Sequence, residues 1–202
     1  MNGIRVLWDN HKGETGYIVG KGPSLLKLRA EHFEDGPIIA INQAIQHVEA
    51  LGLENKVYAL QKNPCDEVIA GQEICDGCES GPPGHPEPEK APLLLSFPET
   101  HNCYSHYPDR FMFTDIHDLG FKERMLPSLP NAARILERMG VDDIKILCCD
   151  AIDGEGLSVD HTGEPRYATH FQSPTHALAY YRSNAQRAQE SMSVPFEWVS
   201  VC

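Results

Sequence analysis

The stretch Gly16-Tyr17-Ile18-Val19-Gly20-Lys21-Gly22-Pro23-Ser24-Leu25 constrains the fold of this chain more than any other. Tyr17, Ile18 and Val19 are strand formers, so a short buried strand is predicted that breaks abruptly into a glycine loop. Gly20 and Gly22 remove two Cβ atoms where the chain must turn and where a ligand would approach the backbone. Pro23 has the φ of a first helical turn, and Ser24 is a residue type that caps the N–H groups that follow. A strand, a glycine loop and a helix start together point to an anion site, because unpaired N–H groups and the helix dipole face the ligand. The alternative is a tight turn that uses glycine. The loop is neither the Gly-x-Gly-x-x-Gly dinucleotide fingerprint nor a Walker A loop.

The next stretches strengthen the ligand reading. Pro37 to Asn42 is a continuous apolar run ending in a polar residue, as expected of a parallel strand buried on both faces. Asn42 is placed to cap a helix with Ile45, Val48 and Leu51 at helical spacing, which Gly52 ends. Lys56 to Leu60 reads as a third strand, followed by Gln61, Lys62 and Asn63. Ligands of open parallel sheets sit outside the carboxyl ends of the strands. Gly20 to Ser24, Asn42-Gln43 and Gln61 to Asn63 would all fall on that edge.

The remaining chain continues the alternation. Ile4 to Trp8 is read as pairing at a sheet edge, and Leu25, Leu26 and Leu28 as packing beneath the glycine loop. Pro92 to Ser96, Arg110 to Thr114, Asp143 to Cys149 and Phe196 to Val201 read as strands. Helices are predicted over Pro130 to Gly140, with Ala132, Ala133, Ile135, Leu136 and Met139 buried, and over Pro174 to Glu190, with Leu178, Tyr181, Ala185 and Ala188 on one face. This order predicts a Rossmann-like three-layer α/β/α fold with a mostly parallel sheet. The 202 residues suit a single domain over 1–202 with an insertion at about 64–90.

Composition narrows the function. No apolar run reaches the length of a membrane span, and Met1 to Asn10 lacks the apolar core of a signal peptide, so the cytoplasm is the expected location. A formal net charge of -12 argues against non-specific nucleic-acid binding, which needs a basic face. It leaves room for a nucleotide, which a few N–H groups and one cation can hold.

Gly20-Lys21-Gly22-Pro23-Ser24-Leu25, Ile41-Asn42-Gln43-Ala44 and Met139 to Asp150 (Met-Gly-Val-Asp-Asp-Ile-Lys-Ile-Leu-Cys-Cys-Asp) occur in this order over most of the chain outside 64–90. Together they resemble the Gly-x-Gly-Pro-Ser-Leu superfamily. That group includes bacterial sialyltransferases of the Campylobacter type, 6-hydroxymethylpterin pyrophosphokinases of the MptE type, and uncharacterised phage and prophage proteins. The last are the members this chain looks most similar to. The resemblance implies a nucleotide-dependent transferase, glycosyltransferase-like, with a nucleotide or nucleotide-sugar as partner. It implies Gly20, Gly22, Ser24 and Asn42 as nucleotide contacts, with Lys21, Pro23, Gln43 and Asn63 beside them. Ser128-Leu129 keeps the serine of a family Ser-Gly pair but not the glycine. The family's general base is a histidine shortly before the last helix, and His170 is the matching position. Histidine suits that role because its ordinary pKa lies near operating pH. The other reading of His170 is a solvated loop residue. The pyrophosphokinase branch would need Mg²⁺ with ATP, and Asp150 and Asp153 are the carboxylates to hold it. Asp150 also suits a turn cap or a ribose contact. A non-catalytic nucleotide-binding module is the third reading.

Seven cysteines without an export signal favour free thiols and a metal site over a disulfide framework. Cys75-Asp76-Gly77-Cys78 is a Cys-x-x-Cys on a glycine turn, a knuckle that supplies two ligands to structural zinc. Cys65 and Cys103, with His85 and His101, are candidates for the other two. A disulfide or free thiols are the alternatives, since the strong zinc signal is two paired knuckles. Cys148 and Cys149 fall in an apolar strand and read as core.

Overall fold

The computed structural model describes residues 2–61, 88–96, 104, 107–122, 128–150 and 174–201. Among them eight strands form one sheet: β1 (Asn2–Gly3), β2 (Thr15–Val19), β3 (Ile38–Ile41), β4 (Val57–Gln61), β5 (Leu93–Ser96), β6 (Arg110–Phe113), β7 (Asp143–Leu147) and β8 (Phe196–Val199). Their order is β1-β6-β5-β4-β3-β2-β7-β8, and every neighbouring pair is parallel. The central strands are continuous apolar runs because both of their faces are covered. Helices α1 (Ala44–Ala50), α2 (Ser128–Met139) and α3 (Pro174–Ser191) complete the described regular structure, apart from short 3-10 turns.

Alternation along each strand divides the core in two. Tyr17, Val19, Ile38, Ala40, Ala59, Leu93 and Leu95 point to one face, where they meet Ala44, Ile45 and Val48 of α1 and Leu25 and Leu28. Ile18, Ile39, Ile41, Leu60, Leu94, Ile144 and Ile146 point to the other face, against Ala132, Ala133, Ile135, Leu136 and Met139 of α2. Helix α3 packs on α2. The result is a three-layer, Rossmann-like α/β fold. Gly16 lets α2 close on β2, since a Cβ there would sit 3.1 Å from the Leu136 side chain.

The structure departs from the sequence expectations at four places. Strand pairing in the lead-in is confined to Asn2–Gly3, and Ile4–Leu7 is a 3-10 turn that buries Ile4 and Leu7. Leu26 is 46 % exposed, because a 3-10 turn sends Leu25 inward and its neighbour outward. The helix after the glycine loop is only the five-residue 3-10 turn Pro23–Lys27, and Ser24 lies within it instead of capping it. Asn42 does not cap α1 through its side chain: Gln43 holds the cap position, with no side-chain cap bond. Gly52 does end α1, in the left-handed region at φ 64° with its N–H on the Glu49 carbonyl.

Candidate functional site

Strands run outward from β2 in both directions: β3, β4, β5 and β6 on one side, β7 and β8 on the other. The connections after β2 and β7 therefore diverge, which makes the carboxyl ends of these two strands the switch point where a doubly wound sheet opens a crevice. The Gly20–Ser24 loop and the Cys148–Asp150 segment leave the sheet there.

The two segments are locked together. Gly20 N–H donates to the Leu147 carbonyl (2.9 Å) and Gly22 N–H to the Cys148 carbonyl (2.8 Å). Ser24 donates to Oδ2 of Asp150 twice, from its N–H (3.0 Å) and from Oγ (2.9 Å). Leu25 N–H closes the turn on the Gly22 carbonyl at 2.9 Å. The glycines are required by this contact. A Cβ on Gly20 would lie 2.5 Å from the Cys148 carbonyl oxygen and from Cys149 Sγ, and one on Gly22 would lie 2.0 Å from Asp150 Oδ2. Four N–H groups of the loop are thus engaged within the chain, and a carboxylate sits against its turn.

Two non-glycine residues at this edge adopt left-handed backbone: Asn42 (φ 51°) at the end of β3 and Cys148 (φ 58°) at the end of β7. Such positions cost an L-residue about 1–2 kcal/mol, asparagine least. Asn42 is pinned through its backbone. Its N–H donates to the Leu60 carbonyl (3.0 Å), and its own carbonyl accepts from Gln61 Nε2 (3.1 Å) and from the Ile45 N–H (3.3 Å). Its side-chain amide makes no hydrogen bond to a described residue. Lys21 Nζ reaches across to Gln43 Oε1 at 2.9 Å, joining the ends of β2 and β3. Gln61 and Ser96, each 3 % exposed, end β4 and β5, and Thr114 follows β6. Ser96 and Thr114 carry in the sequence the same signal as Gln61, a polar residue closing an apolar run.

Ser128 is the first residue of α2. Asn131 of this helix donates to Asp115, beyond the end of β6, while Leu136 packs at Gly16 near the start of β2. The helix therefore runs from the carboxyl edge to the amino edge, and Ser128 lies toward the former. Gly20, Lys21, Gly22, Pro23, Ser24, Asn42, Gln43, Ser128 and Asp150 are all on the carboxyl side of the sheet. His170, Asn63, Asp153, Cys65, Cys75, Cys78, Cys103, His85 and His101 lie outside the described residues, so the base and the zinc knuckle remain sequence expectations.

The thiols at the switch point are protected. Burial pushes Cys148 up to about 12, with the side-chain hydrogen bond between it and Ser24 opposing this and the Asp150 charge adding to it. Burial pushes Cys149 up as well, aided by Cys148 and Asp150. Both are free cysteines just past the end of β7; Cys148 is buried as expected of a core thiol, whereas Cys149 is half-buried.

A separate polar cleft of about 310 Å³ lies at the opposite, amino edge, lined among others by His11, Glu14, Asp35, Glu54 and Lys56. His11 Nδ1 is 2.9 Å from Glu14 Oε2, and Nε2 is 3.2 Å from Tyr58 Oη. Those contacts fasten the lead-in to β4. Ligands of this sheet class bind at the other edge. Among the described residues no helix is long and apolar enough to cross a membrane, and no group of three or more His, Cys, Asp or Glu is placed to hold a metal ion.

No family model matches the chain, and no curated protein matches it. Among solved structures it is similar to the sialyltransferase CstII from Campylobacter jejuni in complex with the substrate analogue cytidine-5'-monophosphate. The identity is 14%, the match covers 95% of this chain and 81% of that one, and the TM-score is 0.43. The α/β class of this protein stands on its own parallel sheet.

Proposed function

We propose that the protein is a nucleotide-dependent transferase of glycosyltransferase type, with the donor seated on the Gly20–Ser24 loop and against Asn42. The observation that carries this reading is Asn42: a residue held left-handed by three hydrogen bonds to its backbone groups, with its side-chain amide bonded to no described residue, at the end of β3 beside the switch point. Strain at a strand end is a mark of sites that present a side chain to a ligand. The motif resemblance supplies the transferase class. Lys21, Gln43, Pro23, Ser128 and Asn63 border the donor in this reading. His170 deprotonates an acceptor hydroxyl, which then attacks the donor sugar and expels the nucleotide.

Calorimetric titration with CMP, CDP, UDP, GDP, ADP and ATP, with and without Mg²⁺, tests the binding step. Asn42→Gly is the informative variant, because glycine keeps the left-handed backbone while removing the amide. Affinity for the preferred nucleotide is expected to fall about tenfold, the worth of one good hydrogen bond to a ligand. Hydrolysis of a nucleotide-sugar without acceptor, lost in His170→Ala, tests the chemistry. Production of AMP from ATP dependent on Mg²⁺ would move the assignment to pyrophosphoryl transfer, and binding without turnover to a non-catalytic module.

A further inference from the structure

We propose that Asp150 reads the ribose of the bound nucleotide, so that the sugar diol and not a phosphate lies against the Gly20–Ser24 loop. This rests on the nucleotide-binding reading above and specifies which part of the nucleotide meets the loop. The loop is poorly suited to phosphate. The N–H groups of Gly20, Gly22, Ser24 and Leu25 are already donated to Leu147, Cys148, Asp150 and Gly22 respectively. The helical turn behind it has only five residues. The group facing Gly22 is a carboxylate, and a phosphate placed beside it would set two anions against each other. A ribose offers the complementary chemistry, since its 2′- and 3′-hydroxyls are hydrogen-bond donors and an ionised carboxylate only accepts.

The carboxylate is also held in position for such a role. Among the described residues, its hydrogen bonds come from Ser24 N–H and Ser24 Oγ, and both fall on Oδ2. Oδ1 is thereby fixed in orientation at the divergence of the loops after β2 and β7. Asp150 is partly buried, which strengthens a hydrogen bond from a sugar hydroxyl relative to the same bond in water. Phosphate, in this arrangement, is directed away from Asp150, toward the side of the loop where Lys21 bridges to Gln43.

The test compares ribonucleoside monophosphates of the four bases with their 2′-deoxy and 3′-deoxy forms, and with inorganic pyrophosphate, by calorimetry on the full chain, with and without Mg²⁺. Removing a hydroxyl is expected to weaken binding to the wild type tenfold or more. Asp150→Asn should weaken the ribonucleotide by a similar factor and abolish the difference between ribo and deoxy forms, while pyrophosphate affinity stays low in both proteins. Equal affinity for ribo and deoxy forms in the wild type overturns the proposal without touching the nucleotide reading, and needs no variant to fold. Tighter pyrophosphate binding in Asp150→Asn overturns it by placing phosphate on the loop. Nucleotide binding that requires Mg²⁺ and is lost in Asp150→Asn overturns it in favour of a bridging cation. No binding of any nucleotide to the wild type removes both readings together.

Discussion

Cys148 stands in left-handed backbone at φ 58°, a conformation that cysteine has no local means to favour. The surrounding contacts impose it: the Gly22 N–H on its carbonyl, and Gly20 packed against that same oxygen. Its thiol follows from its place. With the pKa pushed from 9.0 up to about 12, the thiolate fraction falls about 1,000-fold. Mass-resolved alkylation at pH 8, with fragmentation to separate the two adjacent thiols, should modify Cys148 at least a hundredfold more slowly in native than in denatured protein. Comparable rates would show that the strand end opens freely. The glycine opposite makes a sharper prediction. In Gly22→Ala the new methyl meets the Asp150 carboxylate, so overpacking of about 1–3 kcal/mol is expected in urea unfolding. Asp150→Ala removes the clashing oxygen, and the double variant should therefore lose less than the sum of the two single losses. Strict additivity would mean that the two residues do not touch.

Elements are joined by a few carboxylates whose partners lie far along the chain. Glu137 on α2 accepts from the N–H and Oγ of Ser193, just past α3, and pairs with Arg134, which also reaches the Ser191 carbonyl. Burial pushes the Glu137 carboxyl up, but the two Ser193 bonds and Arg134 outweigh it and hold the group below its ordinary value of 4.5. Its stabilisation is therefore complete above pH 4.5 and disappears as pH falls through the lower folded value. Glu137→Gln should cost about 1.5–3 kcal/mol at pH 7, with the wild-type and variant stabilities converging in acid. A difference independent of pH would exclude the charge as its origin. Glu49, at the end of α1, similarly gathers the N–H groups of Glu89, Lys90 and Ala91 ahead of β5. Neither clasp was legible in the sequence. Strands and helices announce themselves by local periodicity, and Ile38–Ile41 or Ala132–Met139 could be read for that reason. A serine at 193 or a glutamate at 49 carries no local trace of its partner. Ser24 illustrates the same limit at the site: its residue type suggested a cap for its own helix, while its partner is a carboxylate 126 positions away.

On the scale of the whole molecule, the sheet sorts the chain by edge. Parallel strands place every strand-to-helix connection on one side, so the strand ends at Gly20–Ser24, Asn42-Gln43 and Gln61 share one edge among the described residues. The order of the strands was not readable, because nothing local to β7 says that it pairs with β2 and not with β6. That pairing is what brings Asp150 to the glycine loop and creates the switch point. The two edges should consequently behave independently. The amino-edge cleft carries Glu14, Asp35 and Glu54 around Lys56, and it is separated from the loop by the length of β2. At a nucleotide concentration one hundred times Kd, binding should stabilise the wild type by about 2.7 kcal/mol. Glu54→Lys, which reverses a charge in the amino-edge cleft, should leave that ligand-induced gain intact. Asn42→Gly should reduce it to about half at the same concentration, as a tenfold loss of affinity requires. Thermal shifts of the three proteins across a nucleotide series separate the cases directly. A gain that Glu54→Lys removes and Asn42→Gly leaves untouched would move the site to the amino edge and overturn its placement at the switch point.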